Sequence, residues 1–180
     1  MKRKTLDQLL TAGGVIVMLM LGIGGGLATW GESFANSQIQ SQLVQEKIFF
    51  PPAGAATFTP AEYPTLQKYA GTQVDTGDKA KAYADDFIWH HMMKASGGKT
   101  YAEVSELAKA TPTDQKLAGL KTTLFQGDML RSSLLTAYAF SRFGVIAHWA
   151  ALACFAGAGL MLILVLLGIA HLSGPNSSRR

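Results

Sequence analysis

Hydrophobic positions along this chain fall into three regimes, two of them uniform and one periodic. From Leu9 to Trp30 the residues are nearly all Val, Ile, Leu, Met, Ala and Gly, and none is charged. A second run, from Gly144 to Leu172, is longer, and its Leu160–Leu167 stretch is almost wholly aliphatic. About 20 apolar residues in a helix rising ~1.5 Å each cross the ~30 Å hydrocarbon core of a bilayer. Both runs are therefore predicted as transmembrane helices. Trp30 and the His148–Trp149 pair mark the ends nearest the middle of the chain, where amphipathic rings meet headgroups.

Between the runs the pattern turns to helical punctuation with no alternation of strand type. Ser33 to Ile48, rich in Gln, extends the first helix until Phe49-Phe50-Pro51-Pro52 ends it. Gly54–Phe58 is expected to be a linker. Thr59-Pro60-Ala61-Glu62 has the form of a capping box with Pro at the first helical position, so a short helix closed by Gly71 is predicted. Asp75 or Thr76 caps a helix from about Asp78 to Ala95, stopped by Gly97-Gly98. Thr100-Tyr101-Ala102-Glu103 is a second capping box, for a helix to about Ala110. Thr111-Pro112-Thr113-Asp114 opens another that ends near Gly127, and a last one from Asp128 runs into the second span. The fold class expected is all-α: two transmembrane helices flanking an irregular extracytoplasmic helical bundle.

Charge sets the expected topology. The 180 residues carry a net charge of +4, with mean hydropathy +0.17. Residues 31–143 hold eleven Lys/Arg and eleven Asp/Glu, so the middle domain is neutral and binding of nucleic acid is disfavoured. The excess lies at the tips, in Lys2, Arg3, Lys4, Arg179 and Arg180 against Asp7. Basic flanks stay on the cytoplasmic side. The expected organisation is a cytoplasmic tip (1–8), a first span (9–30), an extracytoplasmic domain (31–143), a second span (144–172) and a cytoplasmic tail (173–180). That describes a two-pass plasma-membrane protein with both termini inside. A cleaved signal peptide, cut after the Ser33-Phe34-Ala35 small-x-small pattern, is the rival for the first run. Its apolar stretch exceeds the usual ~7–15 residues of such peptides. Either way the middle domain faces outward.

The one cysteine, Cys154, falls in the second span. The outward domain thus has no disulfide and no Cys-rich zinc site, and holds by packing alone. Gly22 and Gly26, and Ala153 and Gly157, give small residues four apart, a spacing that lets helix backbones approach closely. The alternative is that Gly and Ala are simply common in membrane helices. No Asp, Glu, Lys or Arg lies in the centre of either span, which disfavours a pump or channel. The lipid bilayer is the expected surrounding of both helices.

Chemistry concentrates at Asp85–Met93. At ~100° per residue, Ala80, Tyr83, Ala84, Phe87, Ile88, His91 and Ala95 form one buried stripe, with His91 a hydrogen-bonded core histidine. Asp86 and His90, four apart, share the opposite face with Trp89 and Met93. Asp86 and His90 are the candidate metal ligands, with a third ligand needed from elsewhere, such as Glu103 or Glu106. His90 and His91 point ~100° apart around a regular helix and do not chelate one ion together. Trp89 and Met93 are the candidate partner-binding residues, because large apolar groups on a polar helix face call for cover. No nucleophile elbow, phosphate loop or His-Glu-x-x-His motif is present.

The segments Gln45–Gly54, Lys68-Tyr-Ala-Gly71, Tyr83-Ala84, Phe87-Ile88, Gly97–Tyr101 and Leu124–Gly127 resemble a family of uncharacterised two-span membrane proteins of actinobacteria, over roughly residues 10–170. The resemblance implies a membrane protein and brings no catalytic residues. Some members carry the label aromatic ring-opening dioxygenase, which needs a convergent iron triad that the spacing here does not supply. The expected function is a non-catalytic accessory or partner-binding envelope protein without a cofactor, associated with a larger membrane complex. The alternatives are a non-haem-iron oxidoreductase using Asp86, His90 and His91, and an outward sensor of a small ligand.

Overall fold

A computed structural model describes residues 3–173, so Lys2, Arg179 and Arg180 of the charge argument lie outside the described residues. The described chain is helical: α1 (Arg3–Gln45), α2 (Gly77–Ala82), a π-helical turn (Tyr83–Ile88), α3 (Trp89–Ser96), α4 (Tyr101–Ala110) and α5 (Gln115–Ser173). A short 3-10 turn, Gln67–Tyr69, interrupts the loop after α1. Among the described residues there is no strand, only an isolated antiparallel bridge between Phe49 and Gln73. The chain divides into two compact units, Met1–Phe34 with Phe143–Arg180, and Ala35–Arg142.

The first unit is an antiparallel helix pair. A Cβ placed on Gly168 would lie 2.7 Å from Thr11 Oγ1, one on Gly14 3.0 Å from Val165, one on Gly157 3.1 Å from Leu21, and one on Gly25 2.9 Å from the Phe155 ring. Each glycine of one helix thus receives a larger side chain of the other, the close approach that dispersion favours. Of the small residues singled out from spacing, Gly157 takes part. Gly22 and Gly26 have nothing within 4 Å, and Ala153 is exposed. Gly14, Gly25 and Gly168 make the contacts instead. The two apolar helices reach a mean hydropathy of 2.0 and 2.6, yet only 6% of either apolar window is buried. The core helix of a water-soluble protein would be mostly covered. These two are long and apolar enough to cross a membrane, and their large side chains face outward.

The second unit has an ordinary core. Ile39 and Leu43 of α1, Phe50, Phe58, Tyr63, Leu66 and Val74 of the long loop, Ala80, Ala84, Ile88 and Met92 of α2 to α3, Val104, Leu124 and Leu134 all bury together. Phe50 N–H donates to Thr72 O and Val74 N–H to Ile48 O, both at 2.9 Å, which ties the ends of the loop. A loop of this length needs its own side chains as filling, and Phe58, Tyr63 and Leu66 supply it.

Several expected helix boundaries hold, and two do not. Thr76 caps α2, and Thr100 with Glu103 forms the full capping box of α4. Gly97 ends α3 in the left-handed conformation at φ 62°, which glycine adopts without steric cost. The helix expected after Thr59 is absent. Glu62 N–H bonds Thr59 Oγ1 at 3.3 Å, but the Glu62 carboxylate turns to His90 and Lys94, and Pro64 has no N–H to continue the ladder. Nor does a helix end near Gly127. Asp114 Oδ1 accepts from Lys116 N–H at 2.9 Å, and α5 then runs unbroken from Gln115 to Ser173. Gly127 is there for space, since a Cβ on it would lie 2.7 Å from Met92 Sδ. The middle segment therefore contains fewer and longer elements than the caps and stops in its sequence predict.

Candidate functional site

The stretch from α2 to α3 remains the place where polar chemistry gathers, and its geometry follows from the π turn. Trp89 N–H donates to Ala84 O, five residues back, so this turn holds one residue more than an α turn. Past it, the buried face moves on by one position. Met92 and Ser96 are buried where a regular helix would bury His91 and Ala95, and both of those are exposed. The reading of His91 as a core histidine is thus corrected: it lies at the edge of the core. π turns recur at functional sites because they re-aim side chains this way.

Two clusters result, one on each flank of the helix. On the first, Glu62 Oε1 accepts from His90 Nε2 and from Lys94 Nζ, each at 2.8 Å. Lys94 first, and then His90, hold the Glu62 carboxyl below its ordinary range. Beside it Tyr63, buried, has its hydroxyl 3.1 Å from His91 Nδ1, and its ring lies parallel to His91 at 5.9 Å between centroids. Burial pushes the Tyr63 phenol up to about 12. His91 Nδ1 is also 3.0 Å from Phe87 O, and the tautomer decides which contact it serves. When Nδ1 carries the proton it donates to Phe87 O, and when it does not it accepts from the Tyr63 hydroxyl.

On the second flank, Asp85 bridges two cations. Its Oδ2 pairs with Lys81 Nζ and its Oδ1 takes Arg131 Nη2 of α5 at 2.9 Å. Burial pushes the Asp85 carboxyl up, but the bonds from Lys81 and Arg131 outweigh it and hold it below its usual range. The Arg131 guanidinium also lies over the Trp89 ring, 4.5 Å from its centroid, a cation–π contact that covers one face of the indole.

These contacts place each residue singled out from the sequence. His90 finds its carboxylate in Glu62, twenty-eight positions away, and not in Asp86, which is exposed. Among the described residues no three His, Cys, Asp or Glu side chains converge as a metal site needs; Glu103 is engaged by Thr100 and Glu106 by Lys109. Trp89 and Met93 are half-buried, under Arg131 and against the core respectively. The contacts found for them come from their own domain. Sequence reasoning missed Glu62, Tyr63 and Arg131. Only the Thr59–Glu62 capping pattern drew attention to Glu62, and it pointed to the wrong partner.

The chemistry of these clusters is that of a clasp. Acid, base and cation are paired with each other, and no nucleophile faces a base across open space. The more exposed apolar surface of this unit lies elsewhere, on α5. Phe125 is 48% and Met129 50% exposed one turn apart, with the Tyr101 ring 5.7 Å from Phe125. No family model, curated protein or solved structure matches the chain.

Proposed function

We propose that this is a two-pass integral membrane protein whose middle domain binds a partner protein outside the cytoplasmic membrane, without catalysis of its own. The observation that carries the membrane part is the exposed apolar surface of α1 and α5. On α1 it runs from Leu9 to Trp30 and on α5 from Trp149 to Ile169. At ~1.5 Å per residue each stretch is ~30 Å long, which matches a hydrocarbon core. Trp30 and Trp149, each 66% exposed, supply aromatic markers at one end of both stretches. The basic tip residues favour cytoplasmic termini and an extracytoplasmic middle domain. The resemblance to the actinobacterial two-span family fits the same architecture.

The partner-binding part rests on surface chemistry. Phe125, Met129 and Leu130 are exposed apolar side chains within two turns of α5, and Trp89 and Met93, half-buried, offer their remaining exposed edges. Aromatic and Met side chains are enriched where proteins meet. The test is affinity purification from native membranes in mild detergent. A larger complex is expected, weakened by Phe125→Ser with Met129→Ser more than by Trp89→Ala with Met93→Ala. Recovery of the wild-type chain alone would overturn the accessory role.

A further inference from the structure

The first unit holds one groove whose two ends differ in chemistry. It encloses about 440 Å³ and is lined by Asp7, Leu10, Thr11 and Gly14 of α1 and by Met161, Leu164, Val165, Leu167, Gly168 and His171 of α5. Asp7, Thr11 and His171 are its polar members, and they lie toward the first residues of α1 and the last of α5. The remainder is aliphatic. Asp7 is half-buried, and none of the ion pairs among the described side chains includes it. Lys4, one turn earlier, takes part in none of them either. Thr11 Oγ1 is already committed, donating to Asp7 O at 2.9 Å. A partly desolvated carboxylate above an oily floor is costly unless a cation meets it.

We propose that this groove is a lipid site selective for a phospholipid with a primary-ammonium head. The proposal rests on the membrane reading above and goes beyond it. The ammonium donates to the Asp7 carboxylate, the phosphate is met by Lys4, and one acyl chain lies along Leu10, Leu164 and Leu167. Charge complementarity selects the head: the Asp7 carboxylate lines the groove, and Lys4, exposed, precedes it by one turn of the same helix, a pair of opposite charges to set against a zwitterion. A trimethylated head carries the same charge but has no N–H, so it cannot form the charge-assisted hydrogen bond. An anionic head without an amine gives Asp7 no partner. Gly168 keeps the floor open beside Thr11, where a Cβ would collide with Oγ1 at 2.7 Å.

Native mass spectrometry of the full chain in mild detergent, doped with equal amounts of phosphatidylethanolamine and phosphatidylcholine of identical acyl chains, tests this directly. The wild-type protein is expected to retain the ethanolamine lipid at least about fivefold over the choline lipid. Asp7→Asn should bring the two to parity, and Leu164→Trp, which fills the acyl floor, should reduce both. Far-UV circular dichroism checks that each variant keeps its helix content. Equal retention of the two lipids by the wild type, or an unchanged preference in Asp7→Asn, overturns the proposal. Extraction of the protein from membranes by alkaline carbonate would instead overturn the membrane reading itself, and it is scored before any lipid is added.

Discussion

At the scale of single residues, space and charge decide which positions tolerate change. Gly77 starts α2 against Ser141 and the Tyr138 backbone, so a methyl group there has no room. Gly119, helical and exposed, has nothing within 4 Å. Gly77→Ala is expected to destabilise the middle domain by ~1–3 kcal/mol through overpacking. Gly119→Ala should stabilise it by up to ~1 kcal/mol through helix propensity. Thermal melts in detergent are expected to shift in opposite directions, and a Gly77→Ala protein as stable as the wild type would contradict the close approach at Ser141. Charge makes a second prediction. Glu62 and Asp85 both hold folded pKa values below their ordinary ones, so the folded state binds fewer protons than the unfolded state in acid. Their stabilisation is present above the ordinary carboxylate range and is lost as pH falls through the folded values. The melting temperature should therefore drop as pH is lowered from about 5 toward 3, and Glu62→Gln with Asp85→Asn should flatten that slope. An identical acid profile in the double variant would contradict the assigned partners. Of these partners only Lys81, one turn before Asp85, is local; Glu62 meets His90 and Lys94, and Asp85 meets Arg131, only across the fold.

At the scale of elements, the π turn is the informative departure. Ala80, Ala84, Ile88, Met92 and Ser96 are buried at steps of four. In a regular helix such steps drift by ~40° each and would leave the core within a few turns. The wide turn at Tyr83–Ile88 takes back one residue of that drift. Removing an exposed residue from it should therefore restore an α turn and leave Ile88, Met92 and Ser96 facing the core. Deletion of Asp86 is expected to fold with a modestly lowered melting temperature. Deletion of Lys94, which leaves the π turn in place and displaces the Gly97 stop, should cost considerably more. Comparable losses in the two deletions would show that the extra residue is not what sets the register. Capping, by contrast, was readable from the sequence at Thr100 and, to within a few residues, at Asp75-Thr76 and Thr111–Asp114, where Thr76 and Asp114 are the caps. Those bonds join residues two to four apart, and so the residue types alone specify them. The same logic misled at Thr59, because a tertiary partner took the Glu62 side chain that the cap would have used.

At the scale of the whole molecule, the membrane assignment makes the clearest prediction. In a Cys154→Ser background, a single cysteine at Ser132 should react with a membrane-impermeant maleimide on intact cells. One at Thr5 should react only after permeabilisation. Reaction at Thr5 from outside would reverse the proposed topology. The same experiment separates an anchored first helix from a cleaved one, because a cut after Ala35 removes the Thr5 site from the mature chain. Ala35 lies inside the unbroken α1.

What the amino-acid sequence determined by itself was the all-helical class, the two long apolar helices, and the caps that open α2, α4 and α5. Each depends on hydrophobic run length or on bonds between near neighbours, and those are properties of a short window of chain. Only the tertiary structure decided which glycines accept a neighbouring helix, that α5 passes through Gly127 without a break, and that the buried register shifts by one after the π turn. It alone paired Glu62 with His90 and Lys94, and Asp85 with Arg131. Those outcomes rest on contacts between segments tens of residues apart, where shape and charge are matched in space and leave no periodic trace in the sequence.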